Sequence, residues 1–365
     1  MTGISFPKPL QQYLASGGNS FSNQRLSTGG GSNNSNPIYD IMEGETPRDW
    51  AENIFMGLSD QTDERPEIQD IDEGDNQNTG KFLYQSTGTG NNDATGEGKD
   101  SRVIQYTGQG NNNAKANTLF QLTEAGDNTG TGQYITQYTT AGKNHATGTG
   151  KHSTIFQDNE EGDNDATGET IGQYTTSGNN TAEGKFITQY TEAGNNTATG
   201  RGKGSIQQQS DSGNNVASNA RYISQVTTDG TNTATGTDKD DVIIQQGGGT
   251  ADGGKGNDKF FIQQDENGDG EHQYSITGGE GKDVINLYGN KSDWEKSETD
   301  DGKTVYTNGE TGDVVTLQDF NADEDKVKFG AEPPPPPEGP NTNSDPGNSH
   351  SDPGRHHGDG SSTFG

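Results

Sequence analysis

Ile135-Thr136-Gln137-Tyr138-Thr139-Thr140-Ala141-Gly142-Lys143-Asn144-His145-Ala146 is one unit of a pattern that fills the middle of the chain. An apolar residue stands two places before a Gln, and Gly, Asn and Ala follow it at five, seven and nine. The anchors are Gln69, Gln85, Gln105, Gln121, Gln137, Gln157, Gln173, Gln189, Gln208 and Gln225. Gly recurs at its place in all ten units, from Gly74 to Gly230, and Asn in all ten, from Asn76 to Asn232. Ile, Leu or Val precedes the Gln in nine of the ten. Successive anchors lie 16 to 20 residues apart, mostly in the rhythm 16, 16, 20.

A short, regular period predicts a parallel β-solenoid in which each unit forms one rung of strand, arc and strand. The Gly at the arc permits a positive φ, which an L side chain resists. Residues at -2, 0 and +2 share a face of the first strand. The reading places Ile and Gln inside, with Tyr106, Tyr138, Tyr174 and Tyr190 on the opposite face. Stacking then sets Gln over Gln and Asn over Asn, in amide ladders that run along the axis. The Thr column at +2 (Thr87, Thr107, Thr123, Thr139, Thr175, Thr191, Thr227) invites an ice-binding reading. Its parity with Ile and Gln instead points it inward or to the flank of the arc.

The order of hydrophobic, Gln, Gly, Asn and Ala over residues 68–236 resembles the curlin repeats of bacterial curli fibres. The resemblance implies stacked strand–arc–strand rungs. The segment between Gln and Asn is longer here than in curlin, so fibre formation does not carry over with the rung geometry.

Composition argues independently against an ordinary globular core. Hydrophobic residues are 23% of the chain, mean hydropathy is -1.11, and 56 positions are Gly. Ordering each residue costs roughly 1–2 kcal/mol of backbone entropy, so hydrogen-bonded repetition must replace apolar burial. The net charge of -31 repels phosphate and anionic lipid, which excludes nucleic acid as a partner. No apolar run is long enough to span a bilayer, so membrane insertion is not expected. Cys is absent. The opening residues lack the basic and apolar regions of a secretory signal peptide, so an extracellular protein of this sequence would leave by a non-Sec route.

Beyond Gln245, Gly and Asp take over. Gly253-Gly254-Lys255-Gly256-Asn257-Asp258-Lys259-Phe260-Phe261 and Gly278-Gly279-Glu280-Gly281-Lys282-Asp283-Val284-Ile285-Asn286 both fit G-G-x-G-x-D-x-U-x, with U apolar. A weaker copy starts at Gly236 and keeps Asp241 and Ile243, with Lys239 at the third Gly position. These segments resemble the RTX nonapeptides of calcium-binding β-rolls. The expected chemistry is a Gly turn that directs carbonyls to a cation, with Asp supplying a hard anionic oxygen. Ca²⁺ takes six to eight oxygens, so sites would form between stacked turns. The candidate calcium ligands are Asp241, Gly253, Gly254, Gly256, Asp258, Gly278, Gly279, Gly281 and Asp283. Asp265, Asn267 and Asp269 join them, since Asp265–Gly270 matches the first half of a D-x-[DN]-x-[DN]-G loop. That loop lacks the closing Glu, Ile276 standing in its place.

Four regions follow. Residues 1–66 read as disordered, with a short helix near 47–58 whose Trp50, Ile54 and Leu58 share one face. Residues 67–245 form the curlin-like solenoid. Residues 246–330 form an RTX-like roll with closing strands, and 331–365 a disordered tail opening with Pro333–Pro337. The Trp50 face suits either a cap on the open end of the solenoid or contact with an export component.

No nucleophile–base pair stands out, so the expectation is a protein without catalysis. The leading reading is a secreted calcium-binding structural or adhesive solenoid that meets a host or bacterial surface, or itself end to end. The run Val315–Phe329 looks like the closing segment of RTX proteins exported by type I secretion. The alternatives are a harpin-like protein exported by type III secretion and a β-helix enzyme such as a polysaccharide lyase.

Overall fold

The computed structural model describes residues 66–265 and 271–337. The expected helix near 47–58, most of the tail, Asn267 and Asp269 lie outside the described residues. The described chain is a β-solenoid of stacked coils with two parallel strand ladders, here called the first and second sheets. Asn180–Ala193, Asn196–Ser212 and Asn215–Asp229 each run from one ladder into the other. The first sheet starts with Glu67–Glu73, Phe82–Thr89 and Arg102–Gln109 and continues coil by coil to Val284–Leu287 and Lys326–Phe329. The second starts with Asn76–Gly80 and Asn92–Gly96 and ends with Gln273–Thr277 and Val314–Leu317. Only Trp294–Glu298 and Thr304–Asn308 depart, pairing antiparallel beyond Val314–Leu317.

Register follows the repeat. Gln85 pairs with Gln105, Gln105 with Gln121, and Asn92 with Asn112. The column two before each Gln is a continuous apolar line that includes Leu83, Val103, Leu119, Ile135 and Ile155, all buried. Ala94, Ala114, Ala146 and Ala166 face it from the second sheet. Extra residues in the longer units leave the stack as turns around Gly98 and Gly150, after which pairing resumes.

The amides between these apolar lines are buried and ordered. Each Gln from Gln85 to Gln245 donates from Nε2 to Oε1 of the Gln one coil earlier, at 2.8–3.3 Å. Each Asn donates in the opposite direction, to the Asn one coil later, at 2.8–3.0 Å. The second N–H of each amide fixes these orientations. Gln121 spends it on the Thr129 carbonyl and Asn112 on the Leu122 carbonyl. A flipped amide would set oxygen against oxygen, so the two ladders carry opposed dipoles through one core.

The arc glycines have two reasons to be Gly. Nine of the ten have a positive φ, such as +140° at Gly110 and +137° at Gly126. A Cβ there would also overlap the carbonyl of the arc beneath, as Gly126 against Gly110. The Thr column points inward, and Thr107 Oγ1 donates to the Gly90 carbonyl at 3.0 Å. Its hydroxyls are thus used inside the arc. Outside, a further column sits one residue after each arc Gly. Asn91 Oδ1 accepts the Asn111 N–H, and Asn111 Oδ1 the Asp127 N–H.

Both sheets run through residue 245 unbroken, and what changes there is the filling. Gln245 pairs with Ile262, then Leu287 and Phe329 continue the column. Asn232 gives way to Gly249, Tyr274 and Val315. The last Asn, left without an amide above it, donates to the Gly248 carbonyl at 3.0 Å. At the other end, Glu67 and Asn78 replace the Ile and Ala of later coils, and Asn78 Nδ2 donates to Glu67 Oε2 at 2.9 Å. The first coil therefore presents a polar end.

The candidate calcium centre and its aspartate column

The three Gly/Asp segments stack directly although they are unevenly spaced in the chain. Thr237 O accepts the Lys255 N–H at 3.2 Å, and Gly254 O the Glu280 N–H at 2.9 Å. Asp241, Asp258 and Asp283 each stand just before a strand of the first sheet, and those strands pair in register. All three are buried, at 1%, 0% and 1% exposure. Intervening loops absorb the unequal lengths, so the separations of 17 and 25 residues do not disturb the stack.

The aspartates form one hydrogen-bonded column. Asp241 N–H donates to Asp258 Oδ1 at 2.7 Å, and Asp258 N–H to Asp283 Oδ1 at 2.8 Å. Asp283 N–H donates to Asp325 Oδ1 at 2.9 Å, making Asp325 the fourth member. Sequence reasoning missed Asp325 because no G-G-x-G precedes it. The available signal was the Asp-Lys-Val run, which matches the Asp-Lys-Phe at Asp258.

The second oxygens differ. Asp241 Oδ2 accepts the Thr237 N–H, whereas Asp258 Oδ2 and Asp283 Oδ2 are buried with no hydrogen-bond partner among the described residues. Each lies against the first Gly of its own motif, where a Cβ at Gly253 or Gly278 would overlap it. The Gly278 carbonyl oxygen lies 2.6 Å from that same Cβ position at Gly253. Gly254, Gly256, Gly279 and Gly281 are needed for another reason, with φ of +89°, +125°, +92° and +149°. The first glycine of each motif thus makes room for a carboxylate, and the other two shape the turn.

An unpaired buried carboxylate is costly unless a proton or a cation joins it. Burial, reinforced by the neighbouring Asp241 and Asp283 charges, pushes Asp258 up to about 7. Burial likewise raises Asp241 and Asp283. Arg221 is the cation beside the column, with Nε 3.8 Å from Asp241 Oδ1.

The donor set suits a hard cation in kind: carboxylate oxygens beside turn carbonyls. Its layout is linear, however. Among the described residues no three Asp, Glu or His side chains gather around one point. The carboxylates stand one coil apart, so an ion here would draw on backbone carbonyls between adjacent turns. Asp265 is not brought to the column. It lies beyond the far end of the strand that starts after Asp258, accepting Gln246 Nε2 at 3.4 Å and facing His272 Nε2 at 3.6 Å.

Asp319 is a second residue the sequence reading passed over. Its two oxygens accept the Gly278 and Gly279 N–H groups, both at 2.8 Å, and close the top of the last Gly turn. Elsewhere, a groove of about 730 Å³ crosses several coils on the outer face of the second sheet. Lys143 pairs there with Asp163 at 3.3 Å, and His145 Nδ1 lies 3.0 Å from Asp165 Oδ2. Compared with known proteins, the chain matches no family model, no curated protein and no solved structure.

Proposed function

We propose that the protein is a secreted, non-catalytic β-solenoid whose C-terminal coils bind calcium and whose length serves a structural or adhesive role at a surface. The observation that carries the calcium reading is the pair of partnerless buried oxygens, Asp258 Oδ2 and Asp283 Oδ2, beside stacked Gly turns. A divalent cation would satisfy both oxygens and offset the like charges of the column. Asp258, Asp283 and the carbonyls of Gly253 and Gly278 would hold it. The resemblance to RTX nonapeptides supports the same chemistry and favours export by the type I route.

The polar first coil, with Glu67 and Asn78 paired across its end, suits a solenoid of fixed length better than an end-to-end fibre. The lateral faces are then the surfaces left for a partner. Calcium titration by calorimetry, with thermal melts in EDTA and in millimolar calcium, tests the proposal. Heat of binding with a raised melting temperature is expected. No heat and identical melts would remove calcium from the function.

A further inference from the structure

Beyond Gln245 the axial amide bonds that tie the earlier coils together end. Asn232 is the last of its column, and Gln245 hands over to Ile262, Leu287 and Phe329. The interior continues as an apolar line beside the aspartate column, whose like charges oppose stacking. On their outer side these same coils carry a tie of another kind.

Lys326, Val284, Lys259, Val242 and Tyr222 form one column of the first sheet, each one coil from the next. Tyr222, three residues before Gln225, points away from the interior and clusters with Val242, Ile244 and Phe261. The chain leaves its last strand at Gly330, where φ is +69°, and turns back. Four residues later the Pro334 carbonyl accepts the Tyr222 OH at 3.1 Å. The segment thus recrosses the outer side of Val284–Leu287, Lys259–Ile262 and Val242–Gln246.

Five consecutive prolines favour the polyproline II helix, which has three residues per turn and leaves its carbonyls free to accept. Pro333 and Pro336 are half-buried, whereas Pro334, Pro335 and Pro337 are exposed. A spacing of three puts the half-buried pair on one edge of such a helix. Aromatic-lined grooves take proline-rich segments in this way, and a stiff helix loses little entropy on docking.

We infer that the outer face around Tyr222, Ile244 and Phe261 is a binding groove for a polyproline II helix, with Pro333–Pro337 as its resident ligand. The docked strap ties the last coil to the coil of Gln225, across the stretch that the amide ladders do not reach. This role is independent of what occupies the aspartate column.

Hydrogen exchange of the full chain in EDTA tests the strap, since no divalent cation then contributes. Pro333→Ser with Pro336→Ser removes the docked edge, and Pro335→Ser with Pro337→Ser removes as many prolines from the exposed one. The first pair should speed exchange several-fold in Val242–Gln246 and Lys259–Ile262 and leave Arg102–Gln109 unchanged. The second pair should match the parent chain. If the first pair loses protection throughout, Tyr222→Phe, which removes one hydroxyl, is judged by the same criterion. Parent-like exchange in the first pair, or equal acceleration in both, overturns the docking.

Discussion

Gln121 donates from Nε2 to Gln105 Oε1 across 2.9 Å, and its other N–H goes to Thr129 O, also at 2.9 Å. Both residues are fully buried. One amide thus joins two coils along the axis and two sheets across it. A chain with few apolar residues holds its coils together through such double use.

Replacing Gln121 by Leu should therefore cost more than its gain in apolarity suggests. It removes the acceptor of one Gln137 Nε2 N–H and the side-chain donor to Gln105 Oε1 and to the Thr129 carbonyl, at about 1–3 kcal/mol for each buried group left orphaned. The urea midpoint should fall accordingly. Thr181→Ala, on the exposed outer face, should stay within about 0.5 kcal/mol.

Gly126 and Gly98 both have positive φ, at +137° and +91°. A Cβ on Gly126 would strike the Gly110 carbonyl, whereas one on Gly98 meets nothing within 4 Å. Gly98→Ala should carry only backbone strain, about 1–2 kcal/mol. Gly126→Ala should lose substantially more, since the stacked arcs must separate. Equilibrium unfolding of the two variants in parallel checks the order, and equal losses would contradict it.

The Asp258 carboxyl is raised to about 7 in the fold, above the ordinary unfolded value near 3.9. Between those values the folded chain holds more protons than the unfolded one, so stability falls as pH rises through that window. In EDTA the protein should melt higher at pH 5 than at pH 7.5. Asp258→Asn should remove part of this slope and stabilise the metal-free protein at pH 7.5. A flat profile for the parent chain would contradict the burial argument.

Asp258 and Asp283 belong to the column, and Asp265 does not. Asp258→Ala with Asp283→Ala should abolish the calcium-induced rise in melting temperature, while Asp265→Ala should leave it intact. Dependence on Asp265 alone would relocate the ion to the acidic turn that follows it.

Asp319 holds the amides of Gly278 and Gly279. Asp319→Ala frees two N–H groups on the last Gly turn and should cost about 1–3 kcal/mol. Hydrogen exchange should rise at Gly278–Asp283 while the Gln ladder of the early coils stays protected.

The sequence by itself determined the coil. A Gln, Gly and Asn at fixed offsets can satisfy their buried amides only by lying over their own copies, so Gln85 and Asn92 announce stack, register and interior together. It also marked Asp241, Asp258 and Asp283, because their Gly turns are local signals. Asp319 and Asp325 escaped, since what gives them their role is the turn each meets 40 to 42 residues earlier in the chain. Only the tertiary structure decided the direction of each amide ladder, which depends on the carbonyl left free across the sheet gap. It alone showed that Ile104, Leu122 and Tyr138, on the face away from the Gln ladder, are buried. Parity assigns a side chain to one side of a strand, and whether water remains on that side depends on chain distant in sequence.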